Sequence, residues 1–534
     1  MTENNTFDSL TIAKELFNET KENYIKTNDK KFLKEMQLQL KNIERLEKRQ
    51  RKPENKKDKI IYTSNITIDG IYWDEIHDPI TNECYFIRYD KTNQSYKKEK
   101  VLEDKTTGRK YYPICMENSW VDESFVKLPS EPIDYISFQN LVGEIEKFIH
   151  KYADVTNEFR RIYAYFIIAS WFEFKMNVAP TIEIISPYSK GKSRIGDVGA
   201  AVCYHTISLV DPSSAALIRL MSKFKGTVFV NENNTSYSNS DEYYKVINIY
   251  CSGFERGKPV ARCEGDNFDV VPKDPFGFKI FASYTGFSDG AMSSRCIRYE
   301  TFKTERNDIP IDLNATTEFS IDSMRIRNLI LDFVLKNCDV EFTPMYTGDC
   351  IGIEHRTAQC FLAIRYLAVF DKSVLEFLKK TEAQHEYEQL LQNIESYDGE
   401  IFHAFLNTIK KEDSLNVSAK HILEFLNHPP KMTTTKISRS IKKSTGIDNK
   451  PKRINNELRK CYDIDEKKFT LALQRYVLPD DRKGWLDLYK KLNVEDESPI
   501  EQSPKQQPDK QKLDFYNCET TEEEYLKGRK KDDE

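Results

Sequence analysis

The stretch TIEIISPYSKGKS, residues 181–193, constrains the fold more than any other part of this sequence. Its β-branched residues 182–185, interrupted only by Glu183, predict a largely buried strand. The polar turn that follows ends in Gly191, Lys192 and Ser193, ahead of a predicted helix. This order is typical of a phosphate-binding loop, in which backbone N–H groups surround the phosphates, a lysine reaches the terminal phosphates and a hydroxyl binds Mg²⁺.

The match to the pattern GxxxxGK[ST] is incomplete, because Ser186 occupies the position of the first glycine. An ordinary turn between a strand and a helix therefore remains an alternative. If the loop binds a nucleotide, the residues that we expect to contact it are Ser186, Ser189, Lys190, Gly191, Lys192, Ser193 and Arg194.

Length and composition set the broad class. A chain of 534 residues is long enough for about three domains, and its net charge of -5 excludes a uniformly basic surface, although not a local basic patch. No apolar run is long enough to cross a bilayer, and the first ten residues lack the features of an export signal. The 11 cysteines are scattered without a CxxC pair, which favours buried thiols over zinc ligands. We therefore expect a soluble, cytoplasmic protein without membrane contact.

Within the first 130 residues, the sequence pattern changes near residue 59 from helical spacing to β-type runs. Residues 1–58 place apolar side chains at helical spacing among many Lys and Glu, which predicts a charged helical region that ends in a basic linker. Residues 59–130 carry runs of β-formers separated by Asp-Gly, Thr-Asn and Thr-Gly turns, which predicts a small β-rich module. Aromatic residues of this module could stack on bases, but we expect them to pack in its core: Tyr72, Trp73, Tyr85 and Phe86.

Two later strands carry polar residues that a nucleotide site requires. The apolar run 226–230 leads into Asn231 and Glu232, and resembles the Walker B pattern hhhhDE with asparagine in place of aspartate. Glu232 would polarise the attacking water, and Asn231 would bind the Mg²⁺ site through a metal-coordinated water. The strand 278–283 ends in Ser283, which we expect to contact the γ-phosphate. An ordinary turn after the first strand is the alternative.

Arg295 follows in the tripeptide Ser-Arg-Cys, which resembles the arginine-finger motif of clamp-loader AAA+ ATPases. A guanidinium supplied across a subunit boundary would stabilise charge on the transferring phosphoryl group. The alternative is that Arg295 only pairs with a nearby carboxylate. The order and spacing of these signals at successive strand ends predict an α/β fold, an AAA+-like P-loop ATPase core over residues 131–315.

Residues 157–378 resemble the plasmid- and virus-associated helicase-like ATPase domains of archaea and bacteria, in the AAA+ and superfamily 3 neighbourhood. The motifs that carry the resemblance are WFEF, PTIEIISPYSKGKSR, GTVFVNEN, INIYCSGFERGKPVARCE, FGFKIFAS and SSRCIRYE. The resemblance implies ATP and Mg²⁺ as cofactors, a ring-shaped homo-oligomer, and a helical lid over residues 316–412 with Arg356 as a phosphate contact. It also implies that Arg256, Lys258 and Arg262 face the pore or a neighbouring subunit.

The segment 413–492 differs in charge from the rest of the chain. A helix, a Pro-Pro break, a basic helix ended by Gly446 and a following β-type segment predict a winged-helix-like DNA-binding domain. A solvated helical bundle is the alternative. The residues that we expect to contact DNA are Lys436, Arg439, Lys442, Lys443, Lys452 and Arg453. The polar tail 493–534 is predicted to be disordered.

These observations predict an ATP-dependent, DNA-associated motor or loader that acts in the replication or maintenance of DNA. The DNA of a mobile element is one candidate for that DNA. Replication proteins are then further expected partners. A degenerate ATP-binding, DNA-binding initiator or scaffold is the alternative, since Ser186 and Asn231 both depart from the pattern at chemically important positions. A monomeric P-loop kinase is disfavoured by Ser283, by Arg295 and by the basic C-terminal segment.

Overall fold

The computed structural model describes residues 16–21, 36, 39, 60–114, 125–186, 190–231, 241–264, 269–287, 289–313, 317–350, 353–454 and 457–496. The chain forms two compact units, Met1–Tyr387 and Glu388–Glu534. Most of the predicted N-terminal helical region and of the predicted C-terminal tail lie outside the described residues.

The N-terminal part of the first unit is β-rich, as predicted. Its strands are β1 (Ile60–Thr63), β2 (Asn65–Ile68), β3 (Ile71–Asp78), β4 (Glu83–Asp90), β5 (Ser95–Glu99), β6 (Leu102–Asp104) and β7 (Arg109–Pro113). The order β2-β3-β4-β5 forms an antiparallel sheet, and β1-β7-β6 forms a second sheet in which β1 and β7 are parallel. Asp69 and Gly70 both have positive φ between β2 and β3, the geometry of a tight hairpin turn. Tyr72, Trp73 and Phe86 are buried, so they pack in the core as expected.

Two capped helices come next. Helix α1 (Phe138–Tyr152) begins at Ser137 and α2 (Asn157–Ser170) begins at Thr156, and each cap side chain accepts a hydrogen bond from a backbone N–H three residues later. Every residue of α2 from Ile162 to Ser170 is buried. Helix α2 is therefore a central element of the core of the first unit.

A parallel sheet follows. Its elements are β8 (Thr181–Ile185), α3 (Lys192–Ala200), β9 (Ile207–Val210), α4 (Ser214–Phe224), β10 (Val228–Asn231), α5 (Asp241–Ser252), β11 (Val260–Glu264), β12 (Asp269–Lys273), β13 (Lys279–Ser283), α6 (Gly290–Ser293) and β14 (Cys296–Glu300). The sheet order is β14-β8-β13-β10-β9 with every neighbouring pair parallel, while β11 and β12 form a separate antiparallel hairpin. The mixed α/β class predicted from the sequence is confirmed.

Helix α3 approaches its neighbours closely because it carries two glycines. A Cβ on Gly196 would lie 2.3 Å from the Phe229 ring of β10, and a Cβ on Gly199 would lie 1.8 Å from the Tyr163 hydroxyl of α2. The same hydroxyl donates to the carbonyl of Ile195 at 3.1 Å. These contacts fix α3, and with it the preceding turn, against the sheet.

The helices after the sheet are α7 (Thr317–Asn337), α8 (His355–Arg365), α9 (Ser373–Glu395), α10 (Tyr397–Glu412), α11 (Ala419–Phe425) and α12 (Thr434–Thr445). Helical periodicity extends over residues 359–380 and 385–409 of the sequence, and the structure interrupts the helix within each segment. A 3-10 turn, Tyr366–Val369, and an Asp371 carboxylate that accepts the Ser373 N–H at 2.9 Å separate α8 from α9. Ser396 separates α9 from α10 by capping the Gly399 N–H.

The second unit contains α10, α11 and α12, then β15 (Asp448–Ile454), β16 (Glu457–Asp463), α13 (Glu466–Tyr476) and α14 (Pro479–Asp496). Strands β15 and β16 form an antiparallel hairpin, and the Tyr462 N–H of β16 donates to the Val417 carbonyl before α11 at 2.8 Å. Thr433 caps α12, and Gly446 ends it with φ 72°, as predicted. Ile437 and Ile441 are buried, which leaves the basic face of α12 outside the core.

Eight described cysteines are free thiols, whereas Cys84 takes part in a disulfide. The expectation of free thiols is therefore wrong at Cys84, and the expectation of burial is wrong at Cys263, which is exposed. Within the described part of the chain, each helix is too short or too polar to cross a lipid bilayer.

Candidate nucleotide and DNA sites

The predicted nucleotide residues meet at the carboxyl edge of the parallel sheet. Ile185, the last residue of β8, is the register partner of Ser283 at the end of β13, and Asn231 at the end of β10 is the partner of Ala282. The Ser186 N–H donates to the Ser283 carbonyl at 3.2 Å. Ligands of open parallel sheets bind outside this edge, so the topology places Ser186, Asn231 and Ser283 where a nucleotide would lie.

The turn before α3 has no side-chain cap within the described residues. Gly191 has φ 80°, a left-handed conformation that side chains with a Cβ rarely adopt, and its position before the helix provides no side-chain cap. Among the described residues no side chain caps the first N–H groups of α3, and the helix dipole favours an anion there. Lys192 begins the helix and is largely buried, and Ser193 is half-buried beside it.

Thr301 fixes this turn, which the sequence did not indicate. Its hydroxyl donates to the Lys190 carbonyl at 2.8 Å, and its N–H donates to the Ile185 carbonyl at 2.9 Å. Thr301 follows β14, the strand beside β8. The sequence signal nearest to it is the motif SSRCIRYE, which Thr301 directly follows.

Two buried polar atoms at the edge have no protein partner in the described residues: Asn231 Oδ1 and Ser283 Oγ. Buried polar atoms are normally hydrogen-bonded, so each requires a water or a ligand. An amide oxygen and a hydroxyl beside a helix N-terminus fit a nucleotide phosphate with Mg²⁺. Ser189 and Glu232, the other expected contacts here, lie outside the described residues.

Arg194, another expected phosphate contact, forms hydrogen bonds within its own chain. Its guanidinium donates to the Ile311 carbonyl and, at 3.5 Å, to the Tyr152 carbonyl at the end of α1. Arg194 therefore ties the first turn of α3 to α1 and to the segment that precedes α7.

Glu183 and Arg298 form a buried ion pair beneath the site. Glu183 is fully buried in the middle of β8, and Arg298 is its register partner on β14. The Arg298 Nε donates to Glu183 Oε2 at 2.8 Å, while Glu183 Oε1 accepts the Phe287 N–H at 2.6 Å. The pair joins β8, β14 and the loop after β13. In the sequence, the signal for a buried ion pair was Glu183 itself, a charged residue within an otherwise apolar strand.

Arg295 and Arg356 lie over the same aromatic ring. The Cζ atom of each guanidinium is 5.6 Å from the centre of the buried Phe254 ring, and Arg356 also lies 3.8 Å from a Glu255 carboxylate oxygen. Arg295 donates to the Ala291 carbonyl, and its buried Nε has no protein partner in the described residues. Cation–π contact holds both arginines on their own chain. Phe254 was not predicted as part of this cluster.

Arg256 is exposed, and its guanidinium also makes several contacts within its own chain. Its guanidinium donates to the Glu173 carboxylate at 2.9 Å and to the Met176 carbonyl at 2.8 Å, and lies 4.1 Å from the Phe276 ring centre. These contacts bind the turn after α5 to the 3-10 turn Glu173–Lys175, which follows α2. Lys258 forms an ion pair with Glu255 of its own chain.

The predicted DNA-contacting residues cluster on α12 and β15. Lys436, Arg439 and Lys443 are exposed along one side of α12. Lys442, also exposed, forms an ion pair with Asp448 at 2.6 Å. The half-buried Lys452 donates to the Asn416 side chain at 3.2 Å, and Arg453 on the same strand is exposed. The structure thus brings the basic residues of the helix and of the hairpin into one unit.

No protein-family model and no curated protein matches this chain. Its similar solved structures include the A form apo structure of the NrS-1 C-terminal region, with 13% identity, a TM-score of 0.34, and coverage of 71% of this chain and 84% of that chain. Another is an SCCmec type IV Cch described as an active helicase, with 9% identity, a TM-score of 0.33, and coverage of 75% and 93%. The chemistry of the site is accordingly derived from this chain's own residues.

Proposed function

We propose that this chain is an ATP-dependent, DNA-associated motor or loader of the AAA+ helicase-like kind. The observation that supports the proposal best is the arrangement at the carboxyl edge of the sheet. There, within the described residues, a left-handed glycine and a helix start without a side-chain cap lie near two buried atoms that have no protein partner, Asn231 Oδ1 and Ser283 Oγ. Each of these features suits a phosphate group and a divalent cation.

The residues at the carboxyl edge would each contact a different part of a bound nucleotide. Lys192 would neutralise charge on the β- and γ-phosphates, and Ser193 would hold Mg²⁺. Ser283 would contact the γ-phosphate and Glu232 would orient water. Bound Mg²⁺ would supply charge neutralisation for phosphoryl transfer.

Arg295 would act on the site of a neighbouring subunit in a ring. Its Nε is buried without a protein partner in the described residues, which leaves hydrogen-bonding capacity for an acceptor beyond this chain. To reach that acceptor, the guanidinium would leave the Phe254 ring, where Arg356 also lies. Closing the ring would thus couple assembly to catalysis.

The second unit would hold DNA as a winged helix. Helices α10, α11 and α12 are followed by the β15–β16 hairpin, and a strand contact joins Tyr462 to Val417. In this arrangement α12 is the recognition helix and the hairpin is the wing. The exposed Lys436, Arg439 and Lys443 would contact phosphates or bases.

A scaffold that binds ATP without efficient turnover is the second candidate, and Asn231 favours it. A carboxamide at this position lacks the full negative charge that an aspartate would offer to a metal. Ser186, which is buried, also makes the loop stiffer than a glycine would.

The test is ATP turnover with and without single- and double-stranded DNA, alongside nucleotide affinity and the mass of the assembly. Lys192→Ala should reduce turnover at least about 100-fold, because it removes the phosphate-neutralising charge. Lys223→Ala, a change of an exposed lysine on α4, is the matched control and should leave turnover unchanged. Unchanged turnover in Lys192→Ala would refute the assignment of the loop.

Tight nucleotide binding by the wild-type chain with no turnover, even with DNA present, would favour the scaffold. A strict monomer that transfers phosphate to a small molecule would contradict both candidates.

A further inference from the structure

A cavity of about 550 Å³ adjoins α12 in the second unit. Its lining includes Lys436, Arg439 and Lys443 of α12, Met432 of the turn before that helix, and Tyr397 at the start of α10. The volume lies within the range of pockets that enclose small organic ligands, about 300–1,000 Å³. The recognition helix of the proposed DNA-binding unit therefore adjoins a recess as well as an exposed surface.

The recess is strongly cationic. Lys431, Lys436, Arg439 and Lys443 line it, and the only acidic lining residue is Asp398, whose carboxylate already accepts the Ser440 hydroxyl. The Lys436 Nζ is held toward the turn by the Lys431 carbonyl at 2.8 Å. For Arg439 and Lys443, no ion pair occurs within the described part of the chain. This charge fits an anionic ligand, and phosphate groups in particular.

The recess also has an aromatic component. Tyr397 is 49% exposed, although it is the first residue of a helix whose other residues supply much of the core. Ser396 fixes the start of that helix by capping the Gly399 N–H at 3.1 Å, so the position of Tyr397 is determined by the backbone. Exposed tyrosine beside lysine and arginine is the combination on which unpaired bases stack. Met432 adds a polarisable apolar surface.

The turn before α12, of which Pro430, Lys431 and Met432 line the recess, contains residues in a left-handed backbone conformation. Asn427, His428 and Lys431 all have positive φ, at 54°, 51° and 68°. Backbone hydrogen bonds hold the turn, including His428 N–H to Leu423 O and Met432 N–H to Pro429 O, both at 3.1 Å. Such strain is retained where the surrounding structure imposes it, often at binding sites.

We propose that this recess accepts one unpaired DNA nucleotide, with its base on Tyr397 and its flanking phosphates on Lys436, Arg439 and Lys443. A paired base inside a duplex is stacked on both faces and cannot enter such a recess, whereas an unpaired base can. The second unit then binds a junction between duplex and single strand more tightly than a blunt duplex. This inference rests on the proposed DNA-binding function of α12.

The test measures affinity of the full chain for two DNA probes at one fixed salt concentration. One probe is a blunt duplex, and the other is the same duplex with a single-stranded tail that carries 2-aminopurine next to the junction. Tyr397→Leu should weaken binding of the tailed probe about 10-fold, since stacking of one base contributes about 1–3 kcal/mol. It should leave blunt-duplex binding unchanged. Tyr397→Phe retains the ring and should bind both probes as the wild type does.

The triple change Lys436→Ala, Arg439→Ala and Lys443→Ala separates the inference from the function on which it rests. This variant should lose affinity for both probes, because it removes phosphate contacts common to them. If it does so while Tyr397→Leu binds the tailed probe like the wild type, the recess does not take a base and the inference is overturned alone. If the wild-type chain binds neither probe, the proposed function is overturned as well. A change in 2-aminopurine fluorescence that disappears in Tyr397→Leu and persists in Tyr397→Phe would support the stacking contact.

Discussion

Replacing Arg298 by methionine tests whether the buried ion pair with Glu183 organises the candidate nucleotide site. Glu183 is fully buried, and Arg298→Met removes the guanidinium that lies 2.8 Å from one of its oxygens. The hydrogen bond from Arg298 Nη2 to the Ser293 hydroxyl, also 2.8 Å, is lost as well. The Glu183 carboxylate then keeps the Phe287 N–H but has no opposing charge on β14.

The expected cost follows from leaving a charge buried. Breaking a buried pair by removing one partner typically costs about 3–5 kcal/mol, because the desolvated charge that remains is uncompensated. Methionine retains much of the apolar volume of the arginine side chain, so little of the loss should come from packing. A loss of this size should raise the amide exchange rate of β8 and β14 by about 10²- to 5 × 10³-fold, provided that exchange follows opening of the sheet.

Hydrogen exchange of the peptides that contain β8 and β14, together with urea unfolding, measures this loss. The double variant Glu183→Gln with Arg298→Met should be more stable than Arg298→Met alone, because no buried charge is left. Lys100→Met, which breaks an exposed pair with Glu83, is the control and should change little. If Arg298→Met remains within about 1 kcal/mol of the wild type, or if the double variant is no more stable than the single one, the reasoning is wrong.

Two further changes test other parts of the first unit. Burial lowers the pKa of Lys279 to about 7, and its Nζ donates to the Gly253 and Gly277 carbonyls. Between that pKa and the ordinary value of 10.5, only the unfolded chain binds the proton, so unfolding free energy should rise with pH there. Lys279→Met should reduce this slope in urea titrations from pH 7 to pH 9, and an unchanged slope would contradict the lowered pKa. Gly196→Ala should destabilise the chain by about 1–3 kcal/mol in urea unfolding because its Cβ would overlap a phenylalanine ring, whereas Gly143→Ala, with open space around it, should not destabilise.

The strands that end at the carboxyl edge of the sheet could be predicted because their sequence signals are local. The runs 182–185, 226–230 and 278–283 became β8, β10 and β13 with small changes of boundary. The polar residues at the ends of these strands could be recognised from the same local patterns. The end of α12 at Gly446 was also predicted from a local signal, and the structure confirms it.

The order of strands in the sheet could not be predicted in this way. Strand β13 lies between β8 and β10, although β10 precedes it in the chain by almost 50 residues, and β14 pairs with β8 on the other side. These pairings depend on which apolar surfaces meet in three dimensions, and no local pattern encodes that choice. For the same reason the sequence singled out Arg295 while Arg298 of the same segment holds the buried carboxylate.

The helix interruptions were missed for a different reason. Ser396 lies within a long periodic segment without glycine or proline directly beside it, so periodicity favoured a continuous helix. In the structure its hydroxyl satisfies a helix start, and the chain turns so tightly that a Cβ on Gly399 would lie 2.2 Å from the Asn393 carbonyl oxygen. A serine is compatible with either outcome, and packing decides between them.

The position of β8 in the sheet has a consequence for synthesis of the chain. Glu183 and its partner Arg298 are separated by 115 residues, and both strands that flank β8 lie near the far end of that interval. At a translation rate of about 5–20 residues per second, β8 leaves the ribosome about 6–23 seconds before β14 does. For most of that interval the apolar strand has neither of its neighbours, and its unpaired backbone is open to other strands. Early synthesis is thus the stage at which this chain depends most on protection from aggregation.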